Sequence, residues 1–160
     1  MADDLTRADV PTLLATLRLD DPTARDRATA ELWERWFDEK GPDARRRLEY
    51  GTTLLSVERF AEALAVFEHL LGSHPDFAEA HNKRATVLFL MRRYEDARAE
   101  CLETLRLNDT HFGAWQGLGL CEMELGHFLA AARAFERALA IQPHTPRNRE
   151  FLDRCRQQIN

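Results

Sequence analysis

The side chains most suited to chemistry in this chain are its histidines and its carboxylates. Two histidines four residues apart would place a pair of metal ligands on one face of a helix, and no pair in this chain has that spacing. The histidines are His69, His74, His81, His111, His127 and His144. The sequence therefore predicts no metal site, and we expect the abundant carboxylates to form ordinary surface ion pairs.

The three cysteines, Cys101, Cys121 and Cys155, include no C-x-x-C pair. Their odd number argues against a disulfide framework, and their spacing argues against a zinc ribbon. We expect Cys101 and Cys121 to be small buried side chains that lie near each other on adjacent helices. An enzyme or thiol sensor built on the cysteines and histidines is the least favoured of the hypotheses below.

Motifs that carry catalysis are missing from the sequence. There is no G-x-S-x-G, no H-E-x-x-H and no glycine-rich phosphate loop. Gly117 and Gly119 are followed by Leu120, Cys121 and Glu122, which do not continue a dinucleotide-binding fingerprint. We therefore predict no catalytic residues, no cofactor and no enzymatic activity.

Composition and charge point to a protein or peptide partner. The chain has 160 residues, of which 44% are hydrophobic and 31% charged, and its formal net charge is −5. This charge repels nucleic acid and anionic membranes, and the chain lacks the roughly 20 apolar residues in a row that span a bilayer. The acidic N-terminus does not resemble a secretory signal, so we expect a cytoplasmic location.

Five columns of residues recur at a spacing of 34 and reveal an internal repeat. The columns are Gly51, Ala85 and Gly119; Phe60, Tyr94 and Phe128; Ala63, Ala97 and Ala131; Phe67, Cys101 and Phe135; and Pro75, Asp109 and Pro143. This period is typical of stacked helical hairpins. The small residues in two of these columns predict that the two helices of each hairpin approach closely.

Helix-forming residues and an apolar spacing of three to four predict helices throughout. We divide the chain into an N-terminal helical extension or cap, residues 1–43, then the repeats, residues 44–145, and a C-terminal capping helix, residues 146–160. The three repeats cover residues 44–77, 78–111 and 112–145. Within the extension, Asp21 and Pro22 are expected to start a helix as its N-cap and its first residue.

The repeats resemble the tetratricopeptide repeat family. The third repeat carries that family's pattern best, in Trp115, Leu118, Gly119, Ala131, Phe135 and Pro143. The resemblance implies an all-α fold, a right-handed helix-turn-helix solenoid with an N-terminal helical cap. The stretch around Asp20, Arg25 and Ala28 also resembles a HEAT repeat helix. We favour a simpler interpretation, in which Leu32, Trp33, Trp36 and Phe37 dock the extension on the first repeat.

The family resemblance also implies a binding surface, because the first helices of such repeats line a concave groove. The residues expected there form a second set of columns: Leu48, Thr52 and Leu55; Asn82, Thr86 and Phe89; and Gln116, Leu120 and Met123. We expect the last six to bind a peptide or protein segment. The alternative is that Phe89 and Leu120 only pack against neighbouring helices.

Some family members clamp a C-terminal carboxylate with basic and amide side chains in the first helices. The matching places here hold Leu48, Thr52, Glu79, Lys83, Gly113 and Gly117. Since most of these cannot bind a carboxylate, chaperone C-terminal tails are not the expected ligands. The sequence thus favours a non-catalytic interaction module or scaffold, and a self-associating homodimer is the alternative.

Overall fold

The computed structural model describes residues 5–160, and this part of the chain is helical, with no β-strand. A short 3-10 turn, Leu5–Arg7, precedes nine α-helices. They are α1 Val10–Thr16, α2 Pro22–Asp38, α3 Gly41–Ser56, α4 Phe60–Ser73, α5 Ala78–Leu90, α6 Tyr94–Leu107, α7 Phe112–Glu124, α8 Phe128–Ile141 and α9 Pro146–Ile159. The predicted all-helical fold is confirmed. No helix within residues 5–160 is long and apolar enough to cross a membrane.

Helices α3 to α8 form three hairpins, and each hairpin turn ends its first helix in the same way. The residue at the turn has a left-handed backbone, with φ of 60° at Glu58, 59° at Arg92 and 78° at Gly126. The next N–H donates to a carbonyl five residues earlier at 2.8–2.9 Å, from Arg59 to Leu54, from Arg93 to Leu88 and from His127 to Glu122. This is the Schellman geometry, so the 34-residue period extends to the backbone.

The small residues at Gly51 and Gly119 let the two helices of a hairpin approach closely. A Cβ built at Gly51 would lie 2.5 Å from Cε1 of Phe67, and one at Gly119 would lie 2.6 Å from Cζ of Phe135. Both phenylalanine side chains are fully buried. The predicted close crossing is confirmed, and the aromatic ring that fills it comes from the second helix.

Successive hairpins stack through α4 against α5, α6 against α7 and α8 against α9. The largest apolar cluster runs through the first two repeats and into α7. A smaller cluster joins the third repeat to α9 through Phe135, Leu152 and Cys155. The hairpins therefore share a continuous interior, as expected for a helical repeat solenoid.

The N-terminal helices α1 and α2 begin at side-chain caps. Asp9 accepts a hydrogen bond from the Thr12 N–H at 2.9 Å, and Asp21 accepts one from the Ala24 N–H at 3.1 Å. Pro22 is the first residue of α2, which confirms the predicted start. The caps fix where each helix starts, and so orient the hairpin that α1 and α2 form.

The apolar face of this N-terminal hairpin packs on Phe112 and Ile141 of the third repeat, so the prediction that it docks on the first repeat is wrong for Leu32, Trp33 and Trp36. Leu32 and Trp36 share an apolar cluster with Phe112 at the start of α7. The ring of Trp33 meets that of Phe112 edge-on, with 5.5 Å between centroids. Phe37 does face the first repeat, where the guanidinium of Arg45 lies 5.8 Å from its ring centroid.

Polar contacts also tie the N-terminal hairpin to the end of the third repeat. The Arg18 guanidinium donates to the carbonyl oxygen of Ala140, and the Gln142 amide donates to Thr29 at 3.4 Å. Since α2 also packs against α3 and α5, the hairpin connects all three repeats. It is thus an integral part of the fold.

Candidate functional site

A pocket of about 200 Å³ opens between the first helices of the second and third repeats. Five of the six residues expected to bind a partner lie in its wall: Asn82, Thr86, Phe89, Gln116 and Leu120. We call this cavity the α5–α7 pocket. Met123 lies outside it and lines a neighbouring pocket with Phe128 and Arg154. The structure therefore brings five of these side chains together.

The polar side chains of the α5–α7 pocket differ in whether they are already hydrogen-bonded within the protein. Gln116 is half-buried and forms no hydrogen bond with any residue of the described chain. Asn82 is only 8% exposed, and its amide lies 3.4 Å from Oε1 of Glu79. The Thr86 hydroxyl donates to the Asn82 carbonyl oxygen at 3.1 Å. The Gln116 amide is therefore the group best placed to bond a ligand.

The apolar side chains of the pocket pack inside the fold and also face the cavity. Phe89 is half-buried and meets the ring of Tyr94 edge-on, with 5.3 Å between centroids. Leu120 and Met123 pack against the cluster that contains Leu152 and Cys155. Each therefore has a packing role, and Phe89 and Leu120 keep a surface in the pocket as well.

The first repeat contributes less to this surface than the sequence suggests. Leu48 was expected to face the groove, but it is fully buried in the largest apolar cluster. Phe37 of α2 packs against that same cluster. Leu48 is therefore not available to a ligand.

Two thiols also line the α5–α7 pocket. Cys101 and Cys121 are both free and buried, and they lie near each other as the sequence predicts. A hydrogen bond to Cys121, together with burial, raises the pKa of the Cys101 thiol well above its ordinary value. A thiol in this state is a weak nucleophile at neutral pH, so Cys101 offers packing and not reactivity.

A buried polar network adjoins the pocket where α2 covers α5 and α7. His111 and Glu79 are both fully buried, and their Nε2 and Oε2 atoms lie 2.7 Å apart. The Nδ1 atom of His111 accepts a hydrogen bond from the Ala114 N–H at 3.1 Å. Nε2 therefore carries the ring hydrogen and donates a hydrogen bond to Glu79. Trp36 stacks on the imidazole, with 4.1 Å between ring centroids.

Lys83 is the member of this network that lies nearest to solvent. Its ammonium lies 3.7 Å from Oε1 of Glu79 and 5.3 Å from the ring centroid of Phe37. The ammonium offsets the charge of the buried carboxylate. The repeat pattern of the sequence gives no sign of this network, although a polar residue directly before Phe112 is the signal of an N-cap.

The described residues offer binding surfaces and no metal site. In residues 5–160, no three His, Cys, Asp or Glu side chains lie close enough to hold a metal ion. What the α5–α7 pocket presents is apolar surface from Phe89 and Leu120 beside an unpaired amide. This combination suits a peptide, whose side chains are often apolar and whose backbone needs hydrogen-bond partners.

Comparison with protein families identifies the repeats. Residues 48–111 match one family model and residues 112–145 match another, and both models describe the tetratricopeptide repeat. The chain belongs to the tetratricopeptide repeat family. The resemblance carried by Trp115, Gly119 and Phe135 is confirmed.

Known members of the tetratricopeptide repeat family show how far the likeness extends. A TPR repeat-containing protein of Rhizobium etli is 26% identical over 123 residues, which is 77% of this chain and 60% of that protein. The Hsp70-Hsp90 organizing protein of Triticum aestivum is 30% identical over 93 residues, which is 58% of this chain and 16% of that protein. This chain thus spans less than two thirds of either relative.

Solved structures of tetratricopeptide repeat domains share the fold of this chain. The first such domain of Spaghetti (RPAP3), bound to the HSP90 peptide SRMEEVD, superposes with a TM-score of 0.71 at 20% identity. The match covers 72% of this chain and 92% of that domain. At this identity the likeness establishes the fold, and the helical solenoid predicted from the sequence is confirmed.

Proposed function

We propose that this protein is a non-catalytic interaction module that binds a peptide or protein segment in a groove along α5 and α7. The residues that contact the segment are Asn82, Thr86, Phe89, Gln116, Leu120 and Met123. The observation that carries the proposal is the α5–α7 pocket, where half-buried apolar side chains and the free amide of Gln116 meet. The HSP90 peptide bound to the RPAP3 domain supports binding of a segment by this fold.

The ligand we propose is not a chaperone C-terminal tail. In this chain, two of the places that match the family's carboxylate clamp are closed by the N-terminal hairpin. Glu79 is fully buried and bonded to His111. Trp33 lies so near Gly113 that a Cβ there would come within 2.9 Å of its ring. A terminal carboxylate would meet an aromatic ring and a buried anion, which is unfavourable.

The experiment that tests the proposal selects binders from a phage-displayed library of random dodecapeptides. The library is passed over the immobilised protein, and selected peptides are labelled and titrated. We expect Phe89→Glu with Leu120→Glu to weaken binding by tenfold or more, because two charges would enter the apolar pocket. The matched control is Leu102→Glu with Leu129→Glu, which places the same charges on exposed leucines of α6 and α8.

Equal binding by the pocket variant and the wild-type protein would contradict the proposal. Light scattering over the same concentrations tests the alternative, in which two copies pair through this surface. A dimer that the pocket variant abolishes would favour self-association. A monomer that binds peptide supports the proposal.

We also propose that the chain divides into an extension, the three repeats and a capping helix, with boundaries after residues 43 and 145. The proposed location of the protein is the cytoplasm. Residues 44–145 contain the six helices of the three hairpins apart from the start of α3 at Gly41. The three cysteines are all free, which suits a reducing compartment. Cell fractionation tests the location, and recovery of the protein from a secreted or membrane fraction would contradict it.

A further inference from the structure

The last helix, α9, extends the proposed groove by one more helix. At the repeat spacing of 34, Arg147, Phe151 and Arg154 occupy the positions of Gly113, Gly117 and Leu120. Those three residues of α7 line the α5–α7 pocket. Because α9 packs on α8 in the way that a further first helix would, the same face of α9 continues this surface.

The stripe on α9 combines a fixed aromatic ring with two guanidinium groups. Phe151 stacks on the fully buried Phe135 with 5.3 Å between ring centroids. The guanidinium carbons of Arg147 and Arg154 lie 5.6 Å and 6.0 Å from the centroid of Phe151. Cation–π contact with a ring that is itself held in place limits the positions that these long side chains adopt.

Neither guanidinium is neutralised by a carboxylate. Within residues 5–160, Arg147 and Arg154 form no ion pair. Both side chains are exposed to solvent. Arg156, on the opposite face of α9, does form one, with Glu136 at 3.2 Å. The two arginines therefore present positive charge on the groove face of an acidic protein.

A second pocket lies between Arg154 and Met123. Met123, the sixth predicted binding residue, and Arg154 both line a cavity of about 410 Å³. Glu124 lines the same cavity but forms no ion pair with Arg154. A chain that runs from the α5–α7 pocket past Met123 would thus reach Arg154 next.

We propose that the segment bound in the groove carries an acidic side chain that contacts Arg154 and Arg147, beside an apolar side chain that enters the α5–α7 pocket. This inference rests on the proposed function and specifies the partner as an acidic peptide segment. Packed helices lie roughly 8–10 Å apart, and an extended chain rises about 3.3 Å per residue. The acidic residue therefore lies about three positions from the apolar one.

The same dodecapeptide library tests the inference. We expect peptides selected on the wild-type protein to be enriched in Asp or Glu two to four positions from an apolar residue. Selection on Arg147→Glu with Arg154→Glu should lose this enrichment, and a labelled wild-type-selected peptide should bind that variant about tenfold or more weakly. Replacing the peptide's acidic residue by Lys should restore its affinity for the variant.

The matched control is Arg149→Glu with Arg156→Glu, which also reverses two charges on α9. Both residues are exposed, and they lie on the side of α9 that faces away from Phe151, because a helix turns by about 100° per residue. This variant should bind the selected peptide within a factor of about two or three of the wild-type protein. Equal weakening by the control would mean that only net charge matters, and would overturn the inference.

The outcomes also separate this inference from the proposed function. Peptides that lose affinity in Phe89→Glu with Leu120→Glu, but show no acidic preference, would uphold the groove and overturn the role of the arginines. Peptides that bind Phe89→Glu with Leu120→Glu as tightly as they bind the wild-type protein would overturn both the groove and the role of the arginines. Failure to select any peptide above a blank surface would also count against both.

Discussion

At the residue scale, single side chains decide how tightly the hairpins close. Gly119 is the clearest case, because the ring of Phe135 occupies the space that any side chain would need. Protein interiors are close-packed, so neither helix can move away without losing contacts elsewhere. The residues in the repeat column that contains Gly119 are therefore small because the crossing has no room for a larger side chain.

Replacing Gly119 by Leu should lower the melting temperature. We expect a loss of at least about 1–3 kcal/mol in the free energy of unfolding, because the larger side chain overpacks the crossing. The measurement is thermal unfolding followed by circular dichroism. Gly72→Leu is the matched control, since Gly72 also lies in a helix but nothing lies within 4 Å of its Cβ position. An equal effect of the two substitutions would contradict this view of the packing.

His81 makes stability depend on pH. Burial acts to lower its pKa, but hydrogen bonds to Glu100 and to the Pro75 carbonyl oxygen outweigh burial and raise the pKa above 6.5. Both ring nitrogens face acceptors, at 2.7 Å and 2.8 Å, which suits the protonated ring. Because the folded pKa is raised, this stabilisation is complete below pH 6.5 and is lost as the pH rises through the folded value.

We therefore expect the free energy of unfolding to fall as the pH rises above 6.5, and to fall less in Glu100→Gln. The substitution removes the charge that favours protonated His81. Burial acts to raise the pKa of Glu100, but hydrogen bonds from His81 and Arg84 outweigh burial and lower this pKa below 4.5, so stability is also lost as the pH falls below 4.5. Urea unfolding at several pH values measures both effects. The same slope in the two proteins near pH 7 would contradict the assignment.

At the scale of elements, the N-terminal hairpin connects repeats that are far apart in sequence. Leu13, Leu17, Ala28 and Leu32 are almost completely buried in its interface with Phe112. Burial of one such large side chain stabilises a fold by about 1.5–3 kcal/mol. A contact of this size does not open readily, so we expect the hairpin to stay packed on the repeats.

Replacing Trp36 by Ala should weaken the whole fold. We expect a loss of about 3–5 kcal/mol, because the change leaves a cavity beside His111. Unfolding should remain a single transition, with loss of hydrogen-exchange protection in α2 and α7 together. Leu19→Ala, at a residue 52% exposed, should change stability by less than about 0.5 kcal/mol. Separate melting of the hairpin, with the repeats unaffected, would contradict this account.

The elements that the sequence could predict are those that repeat. The columns at Gly51 and Gly119 and the start of α2 at Asp21 depend on local or periodic patterns, and each appears in the structure as expected. Contacts outside the period could not be found this way. Trp33 and Phe112 are brought together by the path of the whole chain, and Leu48 is buried in a cluster against which Phe37 also packs.

At the scale of the whole molecule, stacking of the hairpins brings Phe89 and Leu120, on separate helices, into one pocket. The sequence predicted these residues from their place in the repeat. It did not predict that α2 would pack beside these helices, and it did not single out Arg154. We therefore propose that a partner segment lies along α5, α7 and α9.

The most direct test of this claim is an amide NMR titration of the labelled protein with a peptide selected from the dodecapeptide library. We expect the largest shift changes at Thr86, Phe89, Gln116 and Leu120, with smaller changes at Arg154. Amides near Leu102 and Leu129, on the second helices, should be unaffected. Shift changes confined to α6 and α8, or to the outer face of the N-terminal hairpin, would contradict the claim.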